Sequence, residues 1–126
     1  MILVDTSVWI DHFRGRAGAE LALLLEAGDV LVHPWVVGEL ALGALGPRRA
    51  AILSDIGLLP AAPVLTEADT LRLVAAHRLW GAGIGWVDAQ LLGAALLAGA
   101  GLWTHDRALA RAAARLGVPR FDRPRT

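Results

Sequence analysis

Short runs of consecutive apolar residues alternate along this chain with longer stretches in which apolar residues recur every three or four positions. The short runs predict buried strands, and the longer stretches predict amphipathic helices. Strands are predicted at Ile2–Val4, Val30–Val32 and Leu102–Thr104, with a further short candidate at Arg120–Phe121. Because strands and helices alternate, the pattern predicts an α/β fold in which helices flank a small parallel sheet.

The predicted helices are separated by residues that end or begin helices. Pro34 suits the first turn of a helix, Gly57 ends another, and Gly117 with Pro119 stops the last. The stretches "LLPAAP" and "GAGIG" predict a linker and a break in the chain. The helices themselves are predicted at Thr6–Phe13, Glu20–Ala27, Pro34–Leu42, Arg48–Ile56, Thr66–Trp80, Trp86–Ala98 and Asp106–Leu116.

Length and composition narrow the class of protein. A chain of 126 residues predicts a single domain over 1–126, with Arg120–Thr126 as a partly ordered basic tail. The absence of cysteine excludes disulfides, thiol nucleophiles and thiolate metal sites. The first residues lack an export signal, and the apolar stretch Ala89–Trp103 is too short to cross a bilayer, so we expect a cytoplasmic protein with no membrane partner.

The charges balance, but the basic residues are all of one kind. Twelve basic and twelve acidic residues give a net charge of zero, so no overall positive field indicates a nucleic-acid binder. All twelve basic residues are arginines. Arg107, Arg111 and Arg115 recur every fourth residue along the last helix, either as a solvated face or as a rail for RNA phosphates.

Four acidic residues occupy positions where carboxylates often do chemistry. Asp5 follows the first strand and Asp106 follows the strand at Leu102–Thr104, so both are expected at the carboxyl edge of a parallel sheet. Asp88 lies in the first turn of its helix, where an anion is favoured. Glu39 interrupts the apolar run "PWVVGELALG" and is expected to be held inward. Taken singly, Asp5 and Asp106 could simply be helix caps, and Asp88 could be a first-turn residue that the helix dipole favours.

Other chemistries that place an aspartate after a first strand lack their partners here. Phosphoryl-aspartate enzymes and receiver domains need a lysine, and there is none. The chain also lacks a nucleotide-binding P-loop and a G-x-S-x-G turn, and its four histidines include no zinc-binding pair. An all-oxygen site for a hard divalent cation remains, because Mg²⁺ or Mn²⁺ relieves carboxylate repulsion and activates water toward a phosphodiester.

Four segments of the chain resemble the acidic motifs of PIN-domain ribonucleases, specifically the VapC-type toxins of bacterial and archaeal toxin–antitoxin pairs. They occur in the family's order and are "VDTSVWID" with Asp5, "WVVGELALG" with Glu39, "IGWVDAQLLGAALL" with Asp88, and "LWTHDRAL" with Thr104 and Asp106. His105 occupies a position that the family leaves variable, so we expect no catalytic role for it.

The resemblance implies a Rossmann-like PIN fold and an endoribonuclease that uses Mg²⁺ or Mn²⁺. Asp5 and Asp88 would be the principal metal ligands, with Glu39 and Asp106 completing the acidic cluster, and a metal-activated water would attack the RNA backbone. Thr104, and either Thr6 or Ser7, would orient the ligands or the water. The resemblance also implies inhibition by a VapB-like antitoxin and a homodimer.

Arginines near the expected site are candidates for binding RNA. Arg14 and Arg16 lie just beyond the first helix, and Arg107 and Arg111 lie on the last one. Two rival functions stay open: a metal-dependent DNA nuclease or other phosphoesterase with the same acidic cluster, and a non-catalytic PIN-like binding module. A complete set of acids argues against the binding module, which has no need of it.

Overall fold

The computed structural model describes residues 1–16 and 18–121, and its centre is a three-stranded parallel sheet. The strands are β1 (Ile2–Val4), β2 (Val30–Leu31) and β3 (Gly101–Trp103), in the order β2-β1-β3. β1 therefore lies in the middle, with Ile2 opposite both Val30 and Gly101. The predicted α/β architecture with a parallel sheet is confirmed.

The helices lie close to the predicted positions. Within the described residues they are α1 (Thr6–Phe13), α2 (Glu20–Glu26), α3 (Pro34–Leu42), α4 (Arg49–Ile56), α5 (Glu67–His77), α6 (Trp86–Ala98) and α7 (Arg107–Arg115), with a 3-10 turn at Gly46–Arg48. None of them is both long and apolar enough to cross a membrane.

Two boundaries differ from the prediction for local physical reasons. The helix predicted to reach Trp80 ends at His77, because Arg78 adopts a left-handed conformation with φ 52° that a helix cannot continue. The "LLPAAP" segment was predicted to be only a linker, yet Val32 forms a parallel bridge with Ala61. Proline has no N–H to donate, but this pairing needs only its carbonyl. The Pro60 carbonyl accepts a hydrogen bond from the Val32 N–H.

The end of the chain is only partly described. Leu102 forms an isolated parallel bridge with Arg120, and Phe121 donates its N–H to the Leu102 carbonyl at 3.0 Å. The short candidate strand at Arg120–Phe121 is therefore present as this single bridge. The rest of the predicted basic tail, residues 122–126, lies outside the described residues.

The hydrophobic core packs around both faces of β1 and holds the ends of the strands in place. Leu3, Val4 and Leu102 are buried. In α6, seven consecutive residues from Ala89 to Ala95 are buried. A sheet fixed in this way defines the position of whatever follows each strand. Asp5 directly follows β1, and Thr104 directly follows the neighbouring β3.

Candidate active site

Asp5 lies at the centre of the candidate site and is 7% exposed. It occupies the residue before α1, but its side chain makes no capping hydrogen bond. Its Oδ2 atom instead accepts hydrogen bonds from Ser7 Oγ and Thr104 Oγ1, both at 2.7 Å. The hydroxyls therefore fix the carboxylate while using only one of its two oxygens.

The loop after β3 is fastened to the same group of atoms. The Asp106 N–H donates to Thr104 Oγ1 at 3.0 Å, and Ser7 Oγ lies 3.4 Å from that hydroxyl. Asp106 is exposed, and its Oδ1 accepts from the Leu109 N–H at 2.9 Å. Asp106 is thus the N-cap of α7, as one of the two interpretations of the sequence predicted, and the cap uses Oδ1 and not Oδ2.

Glu39 reaches the site from α3. The prediction that it is held inward is wrong, because its residue is exposed. The side chain nevertheless points to α1, where Thr6 Oγ1 donates to Glu39 Oε1 at 2.7 Å. An apolar helix such as α3 can carry Glu39 because the glutamate carboxylate remains in contact with water.

Asp88, in the first turn of α6, is half-buried, and its Oδ2 accepts from the Gly85 N–H at 3.0 Å. Burial raises the pKa of Asp88, and the negative charges of Asp5, Asp106 and Glu39 raise it further, whereas the Gly85 hydrogen bond lowers it. The charges of Asp5, Asp106 and Glu39 therefore act on Asp88, in the same direction as its burial.

The four carboxylates suit a hard divalent cation by their chemistry. They offer only oxygen atoms, and a cation would relieve the repulsion that raises the pKa of Asp88. Across residues 1–16 and 18–121, no three Asp, Glu or His side chains form a ready-made metal cage. This arrangement fits Mg²⁺, which usually binds one or two carboxylates directly and retains several waters.

The structure places the predicted RNA-binding arginines on the protein surface. Arg14 and Arg16 are exposed just beyond α1, and Arg107 and Arg111 are exposed on α7. The third arginine of the α7 stripe has a structural contact, since Arg115 donates to the His77 carbonyl at 2.8 Å.

An apolar groove begins beside the acidic site. A small cleft of about 90 Å³ includes Glu39, Phe13 and Leu45, and the last two also line an adjoining cavity of about 500 Å³. The larger cavity lies between α1 and α4, and Trp9 is part of its wall. The Trp9 Nε1–H is buried without a hydrogen-bond partner among the described residues.

Sequence patterns did not identify two contacts made by histidines. His105 Nδ1 lies 2.7 Å from Asp11 Oδ2. His33 is fully buried, and its Nδ1 accepts from the Trp35 N–H at the start of α3. A histidine followed by proline and an apolar run is a possible capping signal for His33, whereas no local pattern links residues 11 and 105.

Comparisons with known proteins agree with these observations. The model of the PIN domain family matches residues 2–115. Ribonuclease VapC32 of Mycobacterium tuberculosis, from strains CDC 1551 / Oshkosh and ATCC 25618 / H37Rv alike, is 50% identical over 119 residues, which cover 94% of both proteins.

Two solved structures share the fold. FitAcB from Neisseria gonorrhoeae gives a TM-score of 0.67 at 22% sequence identity. The match covers 97% of this chain and 97% of the FitAcB chain. PAE2754 from Pyrobaculum aerophilum gives 0.63 at 17% identity, covering 88% of this chain and 83% of its own. At these identities the likeness concerns the fold alone.

Proposed function

This chain belongs to the PIN domain family, among its VapC ribonucleases, and on that premise we propose that it is the toxin of a VapBC-type toxin–antitoxin pair. Its activity is the hydrolysis of RNA phosphodiester bonds within the chain, with Mg²⁺ or Mn²⁺ as cofactor. The observation that carries this proposal is the Asp5 carboxylate at the end of β1, which Ser7 and Thr104 fix through Oδ2. Glu39, Asp88 and Asp106 are the other acids of the proposed site.

Asp5 and Asp88 would be the principal ligands of the cation, with Glu39 and Asp106 acting directly or through water. The cation supplies positive charge that neutralises the phosphodiester and activates water for attack. Asp5 Oδ1 suits this role because Ser7 and Thr104 both bond to Oδ2. The same holds for Asp106, where the cap of α7 engages Oδ1 and leaves Oδ2.

The remaining polar residues keep the acids in position. Thr104 is central, because its hydroxyl donates to Asp5 and accepts from the Asp106 N–H. Thr6 restrains Glu39 through a 2.7 Å hydrogen bond. Such supporting contacts typically change metal affinity or activity by roughly 10- to 100-fold when they are lost.

RNA would lie across the acidic site with its phosphates near the surrounding arginines. Arg14 and Arg16 lie on the α1 side, and Arg107 and Arg111 on the α7 side. A cytoplasmic location would give the toxin access to RNA. The related Ribonuclease VapC32, at 50% identity, supports RNA as the substrate in preference to DNA.

A VapB-like antitoxin would occupy the groove that joins Glu39 to the cavity beside Trp9. The groove suits a partner with apolar side chains along its length and a basic group at the end beside Glu39. Leu45 lies where the two cavities meet. Replacing Leu45 with Glu should abolish antitoxin binding in a titration and leave RNA cleavage intact; unchanged antitoxin affinity would exclude the groove.

A homodimer is the state we propose in solution. Leu71 on α5 is 52% exposed and Leu97 on α6 is 68% exposed, and these two helices pack against each other. Large exposed apolar side chains on neighbouring helices favour association with a second copy. Light scattering should give the mass of a dimer, and the change of Leu97 to Asp should lower it; a monomeric mass for the unmodified protein would refute the dimer.

Cleavage assays on purified protein test the function. We expect cleavage of RNA but not of matched DNA with Mg²⁺ or Mn²⁺, inhibition by a chelator, and recovery on adding the cation back. Asp5→Asn and Asp88→Asn should each reduce cleavage by roughly 100-fold or more while the protein stays folded.

Asp69→Asn is the matched control, because Asp69 is an exposed aspartate on α5 that pairs with Arg72 outside the site. It should cleave RNA at the unmodified rate. Undiminished cleavage by the Asp5 and Asp88 variants would refute the assigned site, and cleavage of DNA alone would replace the ribonuclease with a DNA nuclease.

A further inference from the structure

His105 lies between two residues of the proposed site, and two hydrogen bonds hold it against α1. Its N–H donates to Ser7 Oγ at 3.0 Å, and its Nδ1 lies 2.7 Å from Asp11 Oδ2. Ser7 and Asp11 are four residues apart, so they lie on the same face of the helix. The backbone and the ring of His105 are therefore both fixed along that face.

The contact with Asp11 determines what the other edge of the ring offers. An ionised carboxylate only accepts hydrogen bonds, so the imidazole proton resides on Nδ1. Nε2, at the far edge, bonds to no residue within the described chain. The His105 side chain is 40% exposed, so a bound molecule can contact the ring.

We propose that His105 Nε2 binds a ribose 2′-hydroxyl of RNA at the acidic site, and that Asp11 is the positioning residue that orients the ring. The contact would contribute to the preference for RNA over DNA. This inference rests on the proposed ribonuclease function and adds a specificity-determining residue to it.

A 2′-hydroxyl suits this nitrogen better than a phosphate does. Because Nδ1 faces Asp11, Nε2 is the ring nitrogen that is left for a bound molecule. Phosphate oxygens are acceptors only, whereas the 2′-hydroxyl both donates and accepts and is the group by which proteins distinguish RNA from DNA. The hydroxyl can therefore bond to Nε2 whether or not the ring carries a second proton.

The position of His105 is also appropriate for a sugar next to the cleaved bond. Ser7 Oγ contacts both the His105 N–H and Asp5 Oδ2, so the histidine is joined to the central carboxylate through one hydroxyl. In RNA the 2′-hydroxyl is on the carbon beside the one that bears the 3′-oxygen of the phosphodiester. A phosphodiester bound at the proposed site beside Asp5 would therefore carry its 2′-hydroxyl next to the bond that is cleaved, and the proposal is that His105 contacts this hydroxyl.

The test pairs protein variants with substrates that lack single hydroxyls. The probe is a synthetic RNA oligonucleotide that the unmodified protein cleaves at one mapped bond with Mn²⁺, with a series carrying one 2′-deoxynucleotide at each position around that bond. His105→Asn is the main variant, because the asparagine amide reproduces Nδ1 toward Asp11 but has no counterpart of Nε2. His105→Gln extends an amide to the position of Nε2.

We expect His105→Asn to lower kcat/KM on the all-RNA oligonucleotide by roughly three- to tenfold, the value of one hydrogen bond. On one of the singly deoxy-substituted oligonucleotides, the kcat/KM of the unmodified protein should fall by the same factor. The kcat/KM of His105→Asn should be equal on that oligonucleotide and on the all-RNA one. His105→Gln should recover part of the activity. Asp11→Ala should lose as much as His105→Asn, and Asp11→Asn, which retains an acceptor, should lose less.

His77→Ala is the matched control, an exposed histidine at the end of α5, and it should behave like the unmodified protein. An unchanged kcat/KM for His105→Asn, or an equal loss on every substrate in the series, would overturn the role of His105 and leave the ribonuclease intact. Failure of the unmodified protein to cleave any RNA would overturn the proposed function, and this inference with it.

Discussion

Asp88 carries an electrostatic penalty in the metal-free protein. Burial and three neighbouring carboxylates raise its pKa above the ordinary value of 3.8. A raised carboxyl pKa means that the folded state binds the proton more tightly than the unfolded state does. Its stabilising contribution is present below pH 3.8 and is lost as the pH rises through the higher folded-state value.

Asp88→Asn should therefore raise the melting temperature of the metal-free protein at neutral pH. The gain should shrink as the pH falls toward 3.8, because the unmodified side chain becomes neutral too. Mn²⁺ should raise the melting temperature of the unmodified protein and have little effect on the variant. Thermal unfolding with and without Mn²⁺ measures both effects. A higher melting temperature for the unmodified protein than for the variant, with chelator present, would contradict the prediction.

Thr104 provides a second test at single residues, because its hydroxyl connects Asp5 to Asp106. Thr104→Val keeps the shape and removes the hydroxyl, so RNA cleavage should fall by roughly 10- to 100-fold. Thr104→Ser keeps the hydroxyl and should remain within a few-fold of the unmodified rate. Equal rates for the two variants would show that the hydroxyl does not matter.

The sequence identified the acids individually but not their contacts. Asp5 and Asp106 were expected at one sheet edge because parallel strands end together, and the structure brings both to bear on Asp88. The pair of Asp11 and His105 was not foreseeable, since 94 residues separate them and their meeting depends on how the β3 loop lies over α1. Periodicity reports which face a residue occupies, not which distant residue it meets.

At the scale of elements, α3 depends on a buried histidine. Burial lowers the pKa of His33 below its ordinary 6.5, and the nearby Gln90 side chain opposes the shift only in part. The amide of Gln90 is occupied by Leu65 and Thr70, and His33 Nε2 makes no hydrogen bond with any described residue. His33 is thus a neutral cap for the helix that carries Glu39.

The free energy of unfolding should decrease as the pH falls below 6.5, since the unfolded chain then takes up a proton that folded His33 resists. His33→Asn retains a capping side chain without this titration, so its stability should depend less on pH over the same range. His33→Ala should cost about 1 kcal/mol at neutral pH through the lost cap. Urea unfolding across that pH range is the measurement, and parallel pH profiles for His33→Asn and the unmodified protein would contradict the assignment.

Helix and strand positions followed from the sequence because periodicity, Pro34 and the terminating glycines are local signals. The exceptions depended on tertiary contacts. Arg78 adopts a positive φ without being glycine, and Ala61 pairs with Val32 in a segment whose prolines indicated only a linker. The local sequence predicts neither the positive φ of Arg78 nor the pairing of Ala61.

The whole molecule has no net charge, so any attraction for RNA must come from how the arginines are distributed. Arg111→Glu should weaken RNA binding, and the slope of log affinity against log salt should fall by about 1. The measurement uses the inactive Asp88→Asn protein, so that RNA stays intact. Arg72→Glu is the matched control, because Arg72 is exposed on α5 and pairs with Asp69. Equal salt slopes for the two variants would show that the α7 arginines are an ordinary solvated face.

At this largest scale the sequence predicted the fold class, and the four ordered motifs indicated the family. The groove between α1 and α4 was not predictable, because it is formed by residues as distant as Trp9 and Ile56. An apolar residue that lines a groove has the same local pattern as one that fills a core. The five tryptophans illustrate this, since Trp9 and Trp103 are buried while Trp80 and Trp86 are exposed.

The order of the sheet has a consequence for the synthesis of the protein. β1 is made first, yet its partner β3 and the Thr104 hydroxyl that fixes Asp5 are separated from it by almost the whole chain, 99 residues in the case of the hydrogen bond. Thr104 and Asp106 follow Asp5, Glu39 and Asp88 in the chain, so the hydrogen bonds that fix Asp5 are complete only when synthesis is nearly finished.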